Sequence, residues 1–103
     1  MKMARVCLTL LANREIRDEL IEHLSEQPEL VPGFTASDAE GHGPTVRLHS
    51  AAEQVKGRAD RVLIRIILDD AAAAQVITRI EQAFAGSHLV YWTTPVLSFG
   101  VIA

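Results

Sequence analysis

A single cysteine, Cys7, stands in 103 residues. That excludes an intramolecular disulfide framework, denies the chain the close cysteine spacings of a structural zinc site, and suits a reducing compartment. Lys and Arg number 10 against 13 Asp and Glu, a formal net charge of -3. No basic excess is there to meet a phosphate backbone, and nucleic acid is not an expected partner. No apolar stretch reaches the roughly 20 residues of a membrane-spanning helix, so direct membrane insertion is not expected. Met1-Lys2-Met3-Ala4-Arg5 enters a strand-like run with Arg5 inside it, which is not the layout of a signal peptide. The expected location is the cytoplasm. The length, too, excludes a two-lobed enzyme with a cleft between domains: residues 1–103 are read as one domain.

What the chain does have is apolar surface. Hydrophobic residues make up 49% and charged residues 22%, which is oily for a domain small enough to bury only a modest share of its surface, and part of the excess is expected against another subunit. Arg5 to Leu11 alternates Val6, Leu8 and Leu10 with Cys7, Thr9 and Leu11, a strand apolar on both faces. Asn13 is a good N-cap for a helix reaching about Gln27, with Ile16, Leu20, Ile21 and Leu24 as its stripe and Pro28 as its stop. Leu30 to Ser37 contains Pro32 and Gly33 and reads as a short edge strand. From Asp38 to Lys56 periodicity is lost among turn formers, so a long loop is expected, with Val46-Arg47-Leu48 as a small extra strand within it. Asp60 to Leu68 is the clearest strand. A helix capped by Asp69 or Asp70 follows, with Ala73, Val76, Ile77, Ile80 and Phe84 at helical spacing and Gly86 closing it. Leu89 to Thr93 forms the fourth strand, and Val96 to Ile102 continues as an apolar segment.

This order is a doubled split β-α-β unit, and the expected fold class is α+β: a ferredoxin-like βαββαβ sandwich, with a four-stranded antiparallel sheet, two helices on one face and a long loop between the second and third strands. Cys7, Thr9, Leu11, Leu63 and Ile67 then face away from the helices. An uncovered apolar sheet face is an interaction surface, and a closed homo-oligomer, most simply a trimer with its sheets inward, is expected.

Gly41-His42-Gly43, the stretch from Ser50 to Arg58 leading to Arg61, and Tyr91-Trp92-Thr93-Thr94-Pro95-Val96 carry a resemblance that spans essentially the whole chain. The sequence resembles the PII signalling and CutA-like superfamily, and within it a small PII-like branch encoded beside heavy-metal efflux pumps. The resemblance implies a homotrimeric regulatory or sensor protein in metal homeostasis, not an enzyme. Its mobile loop, about residues 38–57 and equivalent to the T-loop, would bind a small ligand or metal and a partner protein such as a membrane transporter or efflux component. Nucleotide-binding members are similar in having a Gly-rich, Lys-containing turn before the last strand; here that turn is Ala85-Gly86-Ser87-His88, with one glycine and no lysine, a poor phosphate nest.

Two constellations carry candidate chemistry. His42, His49 and Glu40 put imidazole and carboxylate on one loop, a donor set suited to a divalent transition metal or Cu(I); a solvated polar loop is the plain alternative. Glu53, Gly57, Arg58 and Arg61 sit where the loop re-enters the sheet and, with His88, form a candidate anion site, since guanidinium forks suit phosphate or carboxylate. The alternative is that Glu53 and Arg58 only tie down the loop base. Adenine nucleotide ranks behind metal as a ligand, and no cofactor is fixed. Arg65, inside an apolar strand, needs a partner if buried. A structural adaptor without a ligand, or a small ferredoxin-like enzyme, are the competing readings of function.

Overall fold

The computed structural model describes residues 4–48 and 50–103. Its sheet has the order β2-β3-β1-β4, every neighbouring pair antiparallel. Strand β1 (Arg5–Asn13) lies between β3 (Ala59–Asp69) and β4 (Val90–Pro95), and β2 (Thr35–Gly41) pairs with the outer side of β3. Helices α1 (Arg17–Ser25) and α3 (Asp70–Ala83) join the strands in the split β-α-β pattern, while a short helix, α2 (Ala51–Lys56), lies in the β2–β3 connection. This is the ferredoxin-like α+β sandwich.

The register explains the core. Leu8 stands opposite Ile66 and Leu10 opposite Ile64, so one side of the two central strands presents a continuous aliphatic layer, joined by Val62 and Leu68. Leu20 and Leu24 of α1 and Ala73, Val76 and Ile80 of α3 close over it. All of these side chains are buried, as the three-and-four spacing in the helices requires. Fully burying one Leu or Ile contributes about 1.5–3 kcal/mol, so this layer is the main source of stability.

Several boundaries differ from the sequence expectation, each for a local reason. The second strand is Thr35–Gly41, not Leu30–Ser37: the amides of Leu30 and Val31 bond the Gln27 carbonyl in a turn that closes α1, and Val31 enters the core. As an edge strand with mostly exposed residues, Thr35–Gly41 has no alternation to betray it. Asp38–Lys56 is therefore not a continuous loop. Ser50 Oγ accepts the Glu53 amide at 3.1 Å and Gly57 ends α2 in the left-handed conformation, φ 72°, a cap at each end of a single turn and a half. Val46–Leu48 forms no strand. The first helix starts as a 3-10 turn, Arg14–Ile16, capped by Asn13 accepting the Glu15 amide, and α1 stops at Ser25 rather than Gln27.

The face away from the helices carries Cys7, Leu11, Leu63 and Ile67, all half-buried, with Thr9 buried among them. Cys7 Sγ lies 3.9 Å from Thr9 Oγ1. Arg65 is exposed on this face, opposite Thr9, so its guanidinium reaches water. Tyr91 and Trp92 point to opposite faces, opposite Leu10 and Thr9 respectively, and both stay nearly half exposed.

Candidate functional site

The chemistry-bearing side chains gather at the end of the sheet where β1 finishes, β2 finishes and β3 begins. Arg14, just past β1, organises it. One of its Nη atoms donates to the carbonyls of Ala39 and Arg61 at 3.3 and 3.4 Å, while the rest of the guanidinium lies 3.7 Å from Asp38 and 3.8 Å from Asp60. Lys56 of α2 reaches the other Asp60 oxygen at 3.7 Å. Arg14 thus clips the first helical turn to both strands of the β2–β3 pair.

Of the residues expected in an anion site, Glu53, Gly57 and Arg58 have structural partners. Glu53 is 4% exposed and accepts the Asp60 amide at 2.6 Å, fastening α2 to the first residues of β3. Gly57 is the left-handed cap. Arg58 lies 3.4 Å from Glu40. His42 Nε2 is 3.1 Å from the other oxygen of Glu40, so two of the three expected metal ligands are neighbours. The third, His49, lies outside the described residues. Among those described, no group of three or more His, Cys, Asp or Glu side chains is gathered as a metal site. The hydrogen bond with His42, and then the charge of Arg58, hold the Glu40 carboxyl below its ordinary range.

Arg61 and His88, expected together, are together. They line a cleft of about 320 Å3 with Leu11, Gly41, Thr45, Val46, Arg47 and Val90, which is at the small end of ligand sites. Arg61 donates to the Arg47 carbonyl at 3.3 Å, and the Arg47 guanidinium bonds His88. His88 adopts φ 59°, a left-handed conformation unusual for a residue with a side chain. Gly41 gives the cleft its floor: a Cβ there would stand 3.1 Å from Val46 Cγ1 and 3.2 Å from Arg61 Nε. Among the described residues the lining therefore holds two guanidiniums and an imidazole but no carboxylate, in a chain whose net charge is negative. Guanidinium forks are a chemistry suited to phosphate or carboxylate oxygens.

Sequence reasoning missed Arg47, because Val46-Arg47-Leu48 reads as strand while the structure uses it as the wall of the cleft. The available signal was charge: Arg47 and Lys56 are the cations between Asp38 and Gly57. Arg14 was missed as an organiser, since its partners lie 25 and 47 residues away. A second, mostly apolar cavity of about 200 Å3 lies under the end of α3, between Ile77, Phe84 and Tyr91, and shares His88 with the first.

The family described as "Protein of unknown function (DUF3240)" matches residues 2–103. No curated protein matches. Among solved structures, a DUF3240 family protein from Shewanella baltica OS155 superposes with TM-score 0.79 at 20% identity, covering 100% of both chains. CutA from Synechococcus elongatus PCC7942, complexed with Bis-Tris, gives 0.72 at 5% identity over 97% of this chain and 87% of its own. CPII, a nitrogen regulatory PII-like protein from Thiomonas intermedia K12 bound to ADP, AMP and bicarbonate, gives 0.69 at 13% identity over 98% and 100%. At these identities the likeness is one of fold, shared with the PII-like and CutA structures.

Proposed function

The chain belongs to the DUF3240 family, and from its PII-like fold and the cleft beside the β2–β3 connection we propose a regulatory protein, not an enzyme, that reads a small oxyanion. The observation that carries this reading is the convergence of Arg47, Arg61 and His88 on a cleft with no carboxylate among its described lining residues. Arg47 belongs to the connection between β2 and β3, whereas Arg61 is in β3 and His88 precedes β4. An anion held by all three cross-links the connection to the sheet, and occupancy is converted into loop position provided that one loop state binds better than the other. The homotrimer, the role in metal homeostasis and a transporter or efflux component as the target belong to the same proposal and rest on the superfamily resemblance. The bicarbonate and nucleotides bound by the Thiomonas protein support small oxyanions as the first ligands to try.

The test is calorimetric titration of the purified protein with inorganic phosphate, bicarbonate and ADP, repeated on Arg47→Ala and Arg61→Ala. Binding that each variant weakens at least tenfold, about 1.4 kcal/mol, supports the reading. Absence of binding by all three probes, or binding that both variants retain, overturns it.

A second reading is favoured by one contact, the 3.1 Å approach of His42 to Glu40: these two, with His49, would hold a divalent transition metal or Cu(I). Titration of Zn2+ and Cu(I) into the wild type and His42→Ala decides it, since equal affinities would remove His42 from any site.

A further inference from the structure

The cations of the cleft are partnered differently from those elsewhere on the molecule. Arg14, Arg17, Arg58 and Arg79 each meet a carboxylate. Among the described residues Arg47 and Arg61 meet none: the Arg61 guanidinium donates to the Arg47 carbonyl, and the Arg47 guanidinium bonds the His88 imidazole. A guanidinium carries only N–H donors, so in the second of these bonds the ring Nε2 accepts and the ring proton is on Nδ1. Both cations thus lack a counter-charge, and a neutral His88 serves one of them as an acceptor.

The two sides of that bond are held unequally. His88 closes a turn in which the Ser87 amide bonds the Phe84 carbonyl at 3.1 Å and Ser87 Oγ accepts the Leu89 amide at 3.3 Å, and its φ of 59° sets the direction in which the ring leaves the chain. Arg47 lies in the β2–β3 connection, outside any helix or strand. Protonation of His88 breaks their bond. An imidazolium donates from both ring nitrogens and a guanidinium has nothing with which to accept, so the pair would face each other as like charges. An oxyanion resolves the conflict, because its oxygens accept from Arg47, Arg61 and the imidazolium at once. The same ion favours the charged form of an imidazole beside it. Among the described residues, the other groups facing His88 are Glu81 of α3 and Tyr91 of β4, across the second cavity. Neither lines the cleft itself.

We infer that the cleft takes up an oxyanion together with a proton on His88, so that the ion is bound more tightly as pH falls. The inference rests on the oxyanion reading above and names the chemistry that regulates it. His88 exchanges partners between two arrangements: neutral and bonded to Arg47 in one, charged and bonded to the ion in the other. Since the turn of His88 is fixed and Arg47 is not part of the sheet, the exchange repositions the connection. Imidazole is the side chain whose charge ordinarily changes between about pH 5 and 8. Of the chain's 4 histidines, His88 alone among the described residues lines the cleft.

The experiment is calorimetric titration of the purified chain with sulfate, which carries no proton of its own in this range, so that any proton taken up is the protein's. Repeating it in buffers of different ionisation heat counts those protons, for the wild type and for His88→Asn. Asn tolerates the left-handed backbone and has no charge to gain. The expected result is net proton uptake by the wild type and an affinity about three- to tenfold weaker at about pH 8 than at about pH 6. In His88→Asn both the uptake and the pH dependence disappear. Sulfate binding without uptake, or with uptake that the variant keeps, overturns the coupling and leaves the oxyanion reading standing. Binding of phosphate but not of sulfate overturns it as well, because an imidazolium donates to either ion alike. Absence of binding by both ions overturns the oxyanion reading and the coupling with it. The proton count on the wild type needs no variant and decides alone if His88→Asn fails to fold.

Discussion

Glu53 was expected at a ligand site and is found fastening the chain to itself, and the two roles separate cleanly under mutation. Its carboxylate is buried and accepts the Asp60 amide at 2.6 Å, while its own amide is capped by Ser50. Glu53→Ala removes a charged acceptor and leaves the Asp60 amide short of a partner in a partly buried place. A hydrogen bond to a charged group is worth about 1.5–3 kcal/mol, so a loss of about 2 kcal/mol is expected. With about 5 °C of Tm for each kcal/mol in a domain of this size, the melting temperature should fall by about 10 °C. Calorimetry on wild type and variant at matched protein concentration measures it, and phosphate titration of the same samples below the transition checks the cleft. A fall in Tm smaller than about 3 °C would refute the fastening argument. An intact Tm with lost phosphate affinity would return Glu53 to the binding site.

Other residues make sharper or smaller demands. Gly41→Ala places a methyl 3.2 Å from Arg61 Nε and 3.1 Å from Val46, and should weaken phosphate binding about three- to tenfold; unchanged affinity in a titration would show that the floor yields. Gly57→Ala forces a side chain into φ 72° with nothing else in its way, so only backbone strain of about 1 kcal/mol applies, read as a Tm lower by about 5 °C. Glu40 is held below its ordinary pKa first by its hydrogen bond with His42 and then by Arg58. A depressed folded-state pKa contributes stability in full above the unfolded value and loses it as pH falls through the folded one, which puts this effect in the acid range below 4.5. His42→Ala should move the Glu40 titration, followed by carboxyl NMR, upward toward that value, and no movement would count against the pair. His23 Nε2 is buried without a hydrogen-bond partner among the described residues, its ring edge-on to Phe84 at 5.4 Å. His23→Leu should therefore hold or raise Tm, and a clear drop would reveal a partner for the imidazole.

The parts of the fold with two-sided or amphipathic burial were legible. Val62, Ile64, Ile66 and Leu68 alternate because every second residue of β3 enters the core, and Ala73, Val76 and Ile80 recur because one stripe of α3 covers it. Thr35–Gly41 was legible only as an edge, since a strand exposed on most of its residues needs no hydrophobic period. Helix α2 was obscured for a related reason: its buried residue is Glu53, a charge, and hydropathy cannot register a helix whose anchor is polar. In the site, Arg61 and His88 could be proposed together because the fold brings the start of β3 near the turn before β4. Arg47 could not be assigned, because its wall of the cleft depends on how the connection folds back over Gly41.

The central position of β1 also has a consequence for the order in which the chain can fold. Its two partners, β3 and β4, begin more than fifty and eighty residues after it, so every backbone pairing that β1 makes is non-local, and such topologies fold slowly. During synthesis at about 5–20 residues per second, Leu8 and Leu10 wait several seconds for Ile66 and Ile64. The uncharged stretch that begins at Leu89 leaves the ribosome after those central pairs have become available. The edge strand β4 is thus made only once the strand it pairs with can already be held in place from its other side.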